Sequence, residues 1–169
     1  MKRLILVLCA LVFVSGCASD KKIVSDQPLT EIYDEAYTEF NKKHYKSAAE
    51  KFSLAETQYP TSAYAADALI MAAYSNYMDE DFAGALLVAD RFMRFHPGHP
   101  DVPYVLYLRG MCYYRQVSDV RREPGMSVYA LNQFKQLVDR FPNTEYAKNA
   151  KNKIVILKSR CANPLIRIF

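Results

Sequence analysis

The chain repeats itself at a fixed interval. "YPTSAY" (Tyr59–Tyr64) and "FPNTEY" (Phe141–Tyr146) share one order: aromatic, proline, polar, serine or threonine, any residue, tyrosine. "HPGHPD" (His96–Asp101) takes the equivalent place between them. A displacement of 37 residues lays Ala36 on Ala73 and Gly110, Phe40 on Tyr77 and Tyr114, Tyr45 on Phe82, Ala48 on Ala85, Ala55 on Phe92 and Pro60 on Pro97. In the second half of the third copy the step is 45, which aligns Ala130, Phe134, Leu137 and Pro142 with Ala48, Phe52, Ala55 and Pro60. The eight additional residues fall within "RQVSDVRREPGMS", Arg115–Ser127. Apolar residues recur at three- and four-residue spacing without strand-like alternation, so each copy reads as helical. A unit of this size cannot bury its own apolar face and must stack on its neighbours. With 51% apolar residues and only 5 glycines in 169, the composition argues against both disorder and a turn-dense β-sandwich.

A period in the mid-thirties, with a small residue on the first helix, an aromatic before the second, alanine then phenylalanine on the second and proline after it, resembles the tetratricopeptide repeat. The expected fold is all-α: a tetratricopeptide-like solenoid over residues 29–160, with about three helix pairs and a partial seventh helix. The units run from Thr30 to Pro60, Asp67 to Pro97 and Tyr104 to Pro142, and the seventh helix begins near Glu145. That resemblance implies that the first helix of each unit lines a concave groove for an extended peptide or a partner's loop. Carried over position by position, the groove residues are Tyr33, Tyr37 and Phe40, then Ile70, Tyr74 and Tyr77, then Tyr104, Tyr107, Met111, Tyr114 and Arg115. Tyrosine offers a large rigid face and a hydroxyl at low entropic cost, which suits an apolar, aromatic-ended peptide. For each residue the alternative is packing between helices. A charge clamp for a terminal carboxylate is not evident, because lysine and asparagine do not recur at the groove positions.

The amino terminus, "MKRLILVLCALVFVSGC", places Lys2 and Arg3 before an apolar run from Leu4 to Val14, the length of a signal-peptide core and too short to span a bilayer. It ends in "VSGC", similar to the lipobox of bacterial lipoproteins. That likeness implies a signal peptide over residues 1–16 and a diacylglyceryl thioether and acylated amino group on Cys17. A plain secretory signal with an incidental cysteine is the alternative. Three acyl chains, at roughly 0.8 kcal/mol per buried methylene, would anchor the chain stably. Ala18 rather than aspartate after Cys17 resembles sorting to the outer membrane. Residues 17–28 read as a polar tether.

Removing residues 1–16 takes Lys2 and Arg3 from the 22 basic residues and none of the 18 acids, leaving 20 against 18. No run of like charge marks a nucleic-acid surface. His96, His99 and Asp101 form the one cluster with metal-ligand chemistry, but each histidine is followed by proline, and His96 stands where Tyr59 and Phe141 stand in the sister units. It is expected to close a helix, with no metal and no cofactor beyond the lipid. No nucleophile–base pair, phosphate loop or zinc motif is present, so no enzyme is expected. Glu80 and Asp81 in "MDEDF" read as solvated turn acids. Cys112 and Cys161 are expected to be buried free thiols, with a bridge as the alternative. Arg121 and Arg122, beside a Pro-Gly turn, are candidates for contact with a partner's carboxylates, or else solvated loop residues.

At "ADRFMRFHPGHPDVPYVLYLRG", Ala89–Gly110, the chain resembles the BamD family of outer-membrane assembly lipoproteins, and the likeness runs from Cys17 to about Arg160. It implies a non-enzymatic part of the β-barrel assembly machinery. Such a protein is held by lipid on the periplasmic face of the outer membrane, binds BamA and other subunits, and receives unfolded outer-membrane proteins. In the family the amino-terminal repeats are associated with the substrates' carboxy-terminal aromatic signal. A general periplasmic adaptor lipoprotein in cell-envelope organisation is the alternative. Family members carry about five repeats, whereas here "CANPLIRIF" (residues 161–169) follows Arg160. The expectation is a truncated or frameshifted copy in which docking on BamA is in doubt.

Overall fold

The structure is a computed structural model and describes residues 27–117 and 124–162. Seven helices and no strand occur among the described residues: α1 (Leu29–Asn41), α2 (Tyr45–Gln58), α3 (Ala65–Met78), α4 (Phe82–Phe95), α5 (Val102–Gln116), α6 (Pro124–Arg140) and α7 (Glu145–Ala162). Each helix packs on the next, and α5 also touches α3 and α7. This is the helix-pair solenoid expected from the repeat, with α7 starting at Glu145.

Repetition extends to the backbone of the turns. Lys43 ends the first unit's first helix at φ 64° and Glu80, 37 residues later, ends the second's at φ 62°. Both take the left-handed conformation that lets a helix reverse at once. Asp81 then caps α4 by accepting from the Gly84 N–H at 2.9 Å, so this acid holds a helix start rather than standing free in solvent. Thr144 caps α7 in the same way, accepting from the Ala147 N–H at 3.2 Å. Pro103 occupies the first turn of α5, where its missing N–H costs nothing.

Large side chains of the second helices fill space left by small ones on the first. Phe52, Phe92 and Phe134 are fully buried, as are Ala36, Ala73 and Gly110. Phe52 shares a cluster with Ala36, Ala48 and Ala72, and Phe134 lies so close to Gly110 that a Cβ there would overlap its ring. Burying one such ring contributes roughly 1.5–3 kcal/mol. In the middle unit the phenylalanine comes one turn later: Ala89 stands where Phe52 and Phe134 stand, and Phe92 where Ala55 and Leu137 stand. The rings of His96 and His99 cover Phe92 at 5.6 and 5.4 Å. His96 is the C-cap of α4, so "HPGHP" closes the second unit.

Ion pairs link successive units. Arg91 of α4 reaches Glu56 of α2 at 2.7 Å, and Arg109 of α5 reaches Asp90 of α4 at 2.8 Å. Glu56 is 3% exposed, so its pair with Arg91 offsets the cost of burying an acid. Glu80 is likewise paired, with Arg115 at 2.7 Å.

The inserted residues of the third unit are partly helical. By the repeat, α6 should begin at Ser127, the counterpart of Tyr45, but it begins at Pro124. Arg121 and Arg122 lie outside the described residues, as do Cys17, the signal and tether up to residue 26, and the tail from residue 163. Helix α7 continues to Ala162, two residues past the expected end of the repeat domain. Cys112 is a buried free thiol, and burial pushes it up to about 12; the side chain of Cys161 lies outside the described residues. Among the described residues, no helix is long and apolar enough to cross a membrane.

The contact at Gly110 gives a direct test. Gly110→Ala is expected to destabilise the fold by about 1–3 kcal/mol through overpacking, read as a lowered urea midpoint. Phe134→Leu in the same chain should recover part of that loss by making room, a non-additivity that two independent sites would not show.

Candidate peptide-binding groove

Two helical turns separate residues i and i+7, so side chains seven apart stay on one helix face. Tyr33 and Phe40 on α1, Ile70 and Tyr77 on α3, and Tyr107 and Tyr114 on α5 are such pairs, and displacement by 37 carries each onto the next. Stacking the units therefore brings these faces side by side.

Ring contacts run across them. Phe40 of α1 meets Tyr74 of α3 at 5.8 Å, and Tyr74 stacks on Tyr77 at 6.4 Å with 17° between planes. On the other side, Tyr107 of α5 meets Tyr146 of α7 at 5.9 Å, and Tyr146 also meets Tyr104 at 5.4 Å. Tyr37 is exposed, and Tyr33, Phe40, Tyr74, Tyr77, Tyr104, Tyr107 and Tyr114 are half-buried. Each thus packs on one side and leaves some surface on the other, so packing and lining are not exclusive.

The core phenylalanines support this layer from beneath. Phe52 meets Tyr33 and Tyr37 edge-on at 5.4 and 5.1 Å; Phe134 meets Tyr107 and Tyr114 at 5.9 and 6.3 Å. Edge-to-face pairs of this kind add about 0.5–1.5 kcal/mol beyond burial. In the middle unit Ala89 provides no ring, and there Tyr74 and Tyr77 stack on each other.

Three residues of this surface escaped the position-by-position reading. Tyr64, 52% exposed, meets Tyr33 at 5.5 Å. Tyr146 is its counterpart in α7, since both close the repeated "YPTSAY" and "FPNTEY" hexamers. Those hexamers read as punctuation alone, although their last residue reaches the groove. The third is Lys153, whose Nζ sits 4.6 Å from the centroid of the Tyr114 ring. Lys153 and Tyr146 are again seven apart.

Arg115 extends from the end of α5 and is half-exposed, with its guanidinium on Glu80. Burial raises the Tyr77 hydroxyl above its ordinary range, and the neighbouring Arg115 partly offsets this. The histidine cluster assembles differently from its sequence order: His99 and Asp101 meet Asp67 of α3, with ligand atoms within 4.8 Å of one another, while His96 turns onto Phe92. The Asp101 N–H donates to His99 Nδ1 at 3.2 Å, and both acids are exposed. A separate depression of about 590 Å³, lined by Glu31, Asp34, Glu35 and Glu39 of α1 and Lys51 of α2, shares no residue with the aromatic surface.

A family model described as outer membrane lipoprotein, YfiO, matches residues 25–168. Proteins named outer membrane protein assembly factor BamD are similar to the chain. That of Caulobacter vibrioides is 32% identical over 153 residues, covering 88% of this chain and 50% of the relative. That of Neisseria meningitidis serogroup B is 32% identical over 173 residues, covering 93% and 65%. That of Vibrio cholerae is 32% identical over 165 residues, covering 92% and 68%. The chain thus spans about half to two thirds of the length of these relatives.

Burial gives the groove tyrosines a signature in alkaline solution. Tyr33 and Tyr104 are held well above the ordinary 10.0, first by burial and then by neighbouring groups, Tyr37 for Tyr33 and Tyr74 for Tyr104. The folded state therefore keeps these protons after the unfolded chain has released them. The stability is present below about pH 10 and is lost as pH rises beyond it. The urea midpoint should fall progressively as pH rises above about 10, and Tyr104→Phe should make that fall shallower; an unchanged slope would mean that Tyr104 is solvated.

Proposed function

Because the chain belongs to the outer membrane lipoprotein family YfiO, we propose that it is a non-enzymatic, lipid-anchored scaffold that assists the assembly of β-barrel proteins into the bacterial outer membrane. The observation that carries this reading is the aromatic surface shared by the first helices of successive units. It combines rigid apolar faces, hydroxyl groups and an open side, as recognition of an extended, aromatic-ended peptide requires. The relatives are named as assembly factors for outer membrane proteins, and segments of unfolded outer-membrane proteins supply peptides of that chemistry.

Within this reading Cys17 carries the lipid, residues 17–28 tether the solenoid to the periplasmic face of the outer membrane, and residues 29–160 form the binding domain. Arg121 and Arg122 contact an acidic partner surface, and BamA with its companion subunits provides the wider assembly. Tyr33, Tyr37, Phe40, Tyr74, Tyr77, Tyr104, Tyr107 and Tyr114 line the groove, with Arg115 at its edge.

Three measurements check the reading. A radiolabelled fatty acid should enter the wild-type chain and not Cys17→Ser. The wild-type chain should co-purify with a BamA-type scaffold, whereas a general envelope adaptor would not. A synthetic peptide ending in phenylalanine should bind the chain, and Tyr107→Ala should weaken binding about tenfold, the loss typical of a central aromatic contact; unchanged affinity would remove Tyr107 from the groove.

A further inference from the structure

We propose that Asp67, His99 and Asp101 form a binding site for a divalent transition-metal ion of the zinc type. The ion would join the start of α3 to the entry of α5, across the boundary between the second and third units.

Sequence order groups His96 with His99 and Asp101, and no metal is expected from that set. Folding changes its membership. His96 turns onto Phe92, with 5.6 Å between ring centroids, while Asp67 comes in from the first turn of α3. One ligand atom from each of Asp67, His99 and Asp101 then lies within 4.8 Å of the other two.

Two of the three side chains are already positioned. The His99 ring stands edge-on to Phe92 at 5.4 Å. Its backbone is fixed in a turn, the N–H donating to the His96 carbonyl at 3.1 Å and the carbonyl accepting from the Val102 N–H at 3.1 Å. Asp101 is the N-cap of α5, yet unlike Asp81 at α4 its carboxylate accepts no capping hydrogen bond. Its Oδ2 instead stands 3.6 Å from His99 Nδ1. Two ligands of a tetrahedral zinc ion, each at about 2.0–2.1 Å, lie roughly 3.4 Å apart, so this pair needs little movement. Nδ1 accepts from the Asp101 N–H at 3.2 Å, and it therefore presents a lone pair rather than a proton, as a ligand must. An ion taking that lone pair would leave the N–H of this exposed residue to water. Asp67 is exposed as well, and its side chain is free to close the remaining distance.

The local charge favours a cation. Among the described residues, no lysine or arginine forms an ion pair with Asp67 or Asp101; Arg91 is held by Glu56 and Arg109 by Asp90. Two carboxylates thus converge with only an imidazole beside them, and a divalent ion neutralises both. The imidazole nitrogen selects zinc-type ions over magnesium and calcium, which prefer oxygen alone. Three protein ligands leave further positions to water. A bound ion would hold the loop between α4 and α5 to α3, and so fix the spacing of α3 and α5, whose aromatic faces lie side by side.

The test titrates the full chain, purified without a polyhistidine tag, with zinc chloride by isothermal calorimetry, and reads the urea midpoint with and without the ion. One zinc ion per chain should bind, raise the midpoint and resist displacement by excess magnesium. Asp67→Asn removes a ligand at an exposed position, and His99→Phe keeps a ring against Phe92. Each should weaken zinc binding at least about tenfold, the least that a lost supporting group costs a metal site, and abolish the rise in midpoint. His44→Gln, which alters the separate pairing of His44 with Glu39, should change neither reading. A wild-type chain that is folded by circular dichroism and binds no zinc would overturn the site. So would binding that survives both Asp67→Asn and His99→Phe, binding lost with His44→Gln, or zinc displaced by magnesium.

Discussion

Phe134 leans from α6 onto Gly110 of α5, with Tyr107 and Tyr114 resting on its outer side. Most of the architecture depends on this kind of contact. A phenylalanine on a second helix fits against a small residue on the first, and the close approach brings the first helix's tyrosines over the same ring. Phe52 does likewise beneath Tyr33 and Tyr37. The ring that fills the core therefore also supports the aromatic surface, and binding face and stability are coupled. A substitution that loosens the core in either outer unit should disturb the groove above it.

The middle unit shows how far the repeat tolerates variation. Its phenylalanine has moved by one turn to Phe92, where His96 and His99 close over it. Ala89 then leaves no ring beneath Tyr74 and Tyr77, which stack on each other. The same shift explains the "HPGHP" segment. His96 caps α4 and covers Phe92, and His99 lies with Asp67 and Asp101 beside the start of α3.

The solenoid was legible in the sequence because its period is set by packing that each unit must repeat. Alanine, phenylalanine and proline recur at fixed displacement, and this located the helix pairs and the start of α7. The aromatic surface was legible for the first three units, where seven-residue spacing places Tyr33 and Phe40, or Tyr107 and Tyr114, on one face. It was incomplete where a residue's role depends on the neighbouring unit. Tyr64 stands at the cap of α3 and Tyr146 in the first turn of α7, and Lys153 takes the position of Asp34, Met71 and Leu108 in the other units. Only stacking puts its ammonium over Tyr114. The pairing of Glu80 with Arg115 was hidden for the same reason, since 35 residues separate the partners.

The central claim is that the first helices form one continuous recognition face for an extended peptide, supported from behind by the second helices. Hydrogen exchange with and without a saturating phenylalanine-ended peptide tests it most directly. Backbone protection should rise in α1, α3, α5 and the first half of α7, and remain unchanged on the outward side of α2, α4 and α6. Protection confined to the outward helices, or to the polar depression beside Glu35 and Lys51, would contradict the account.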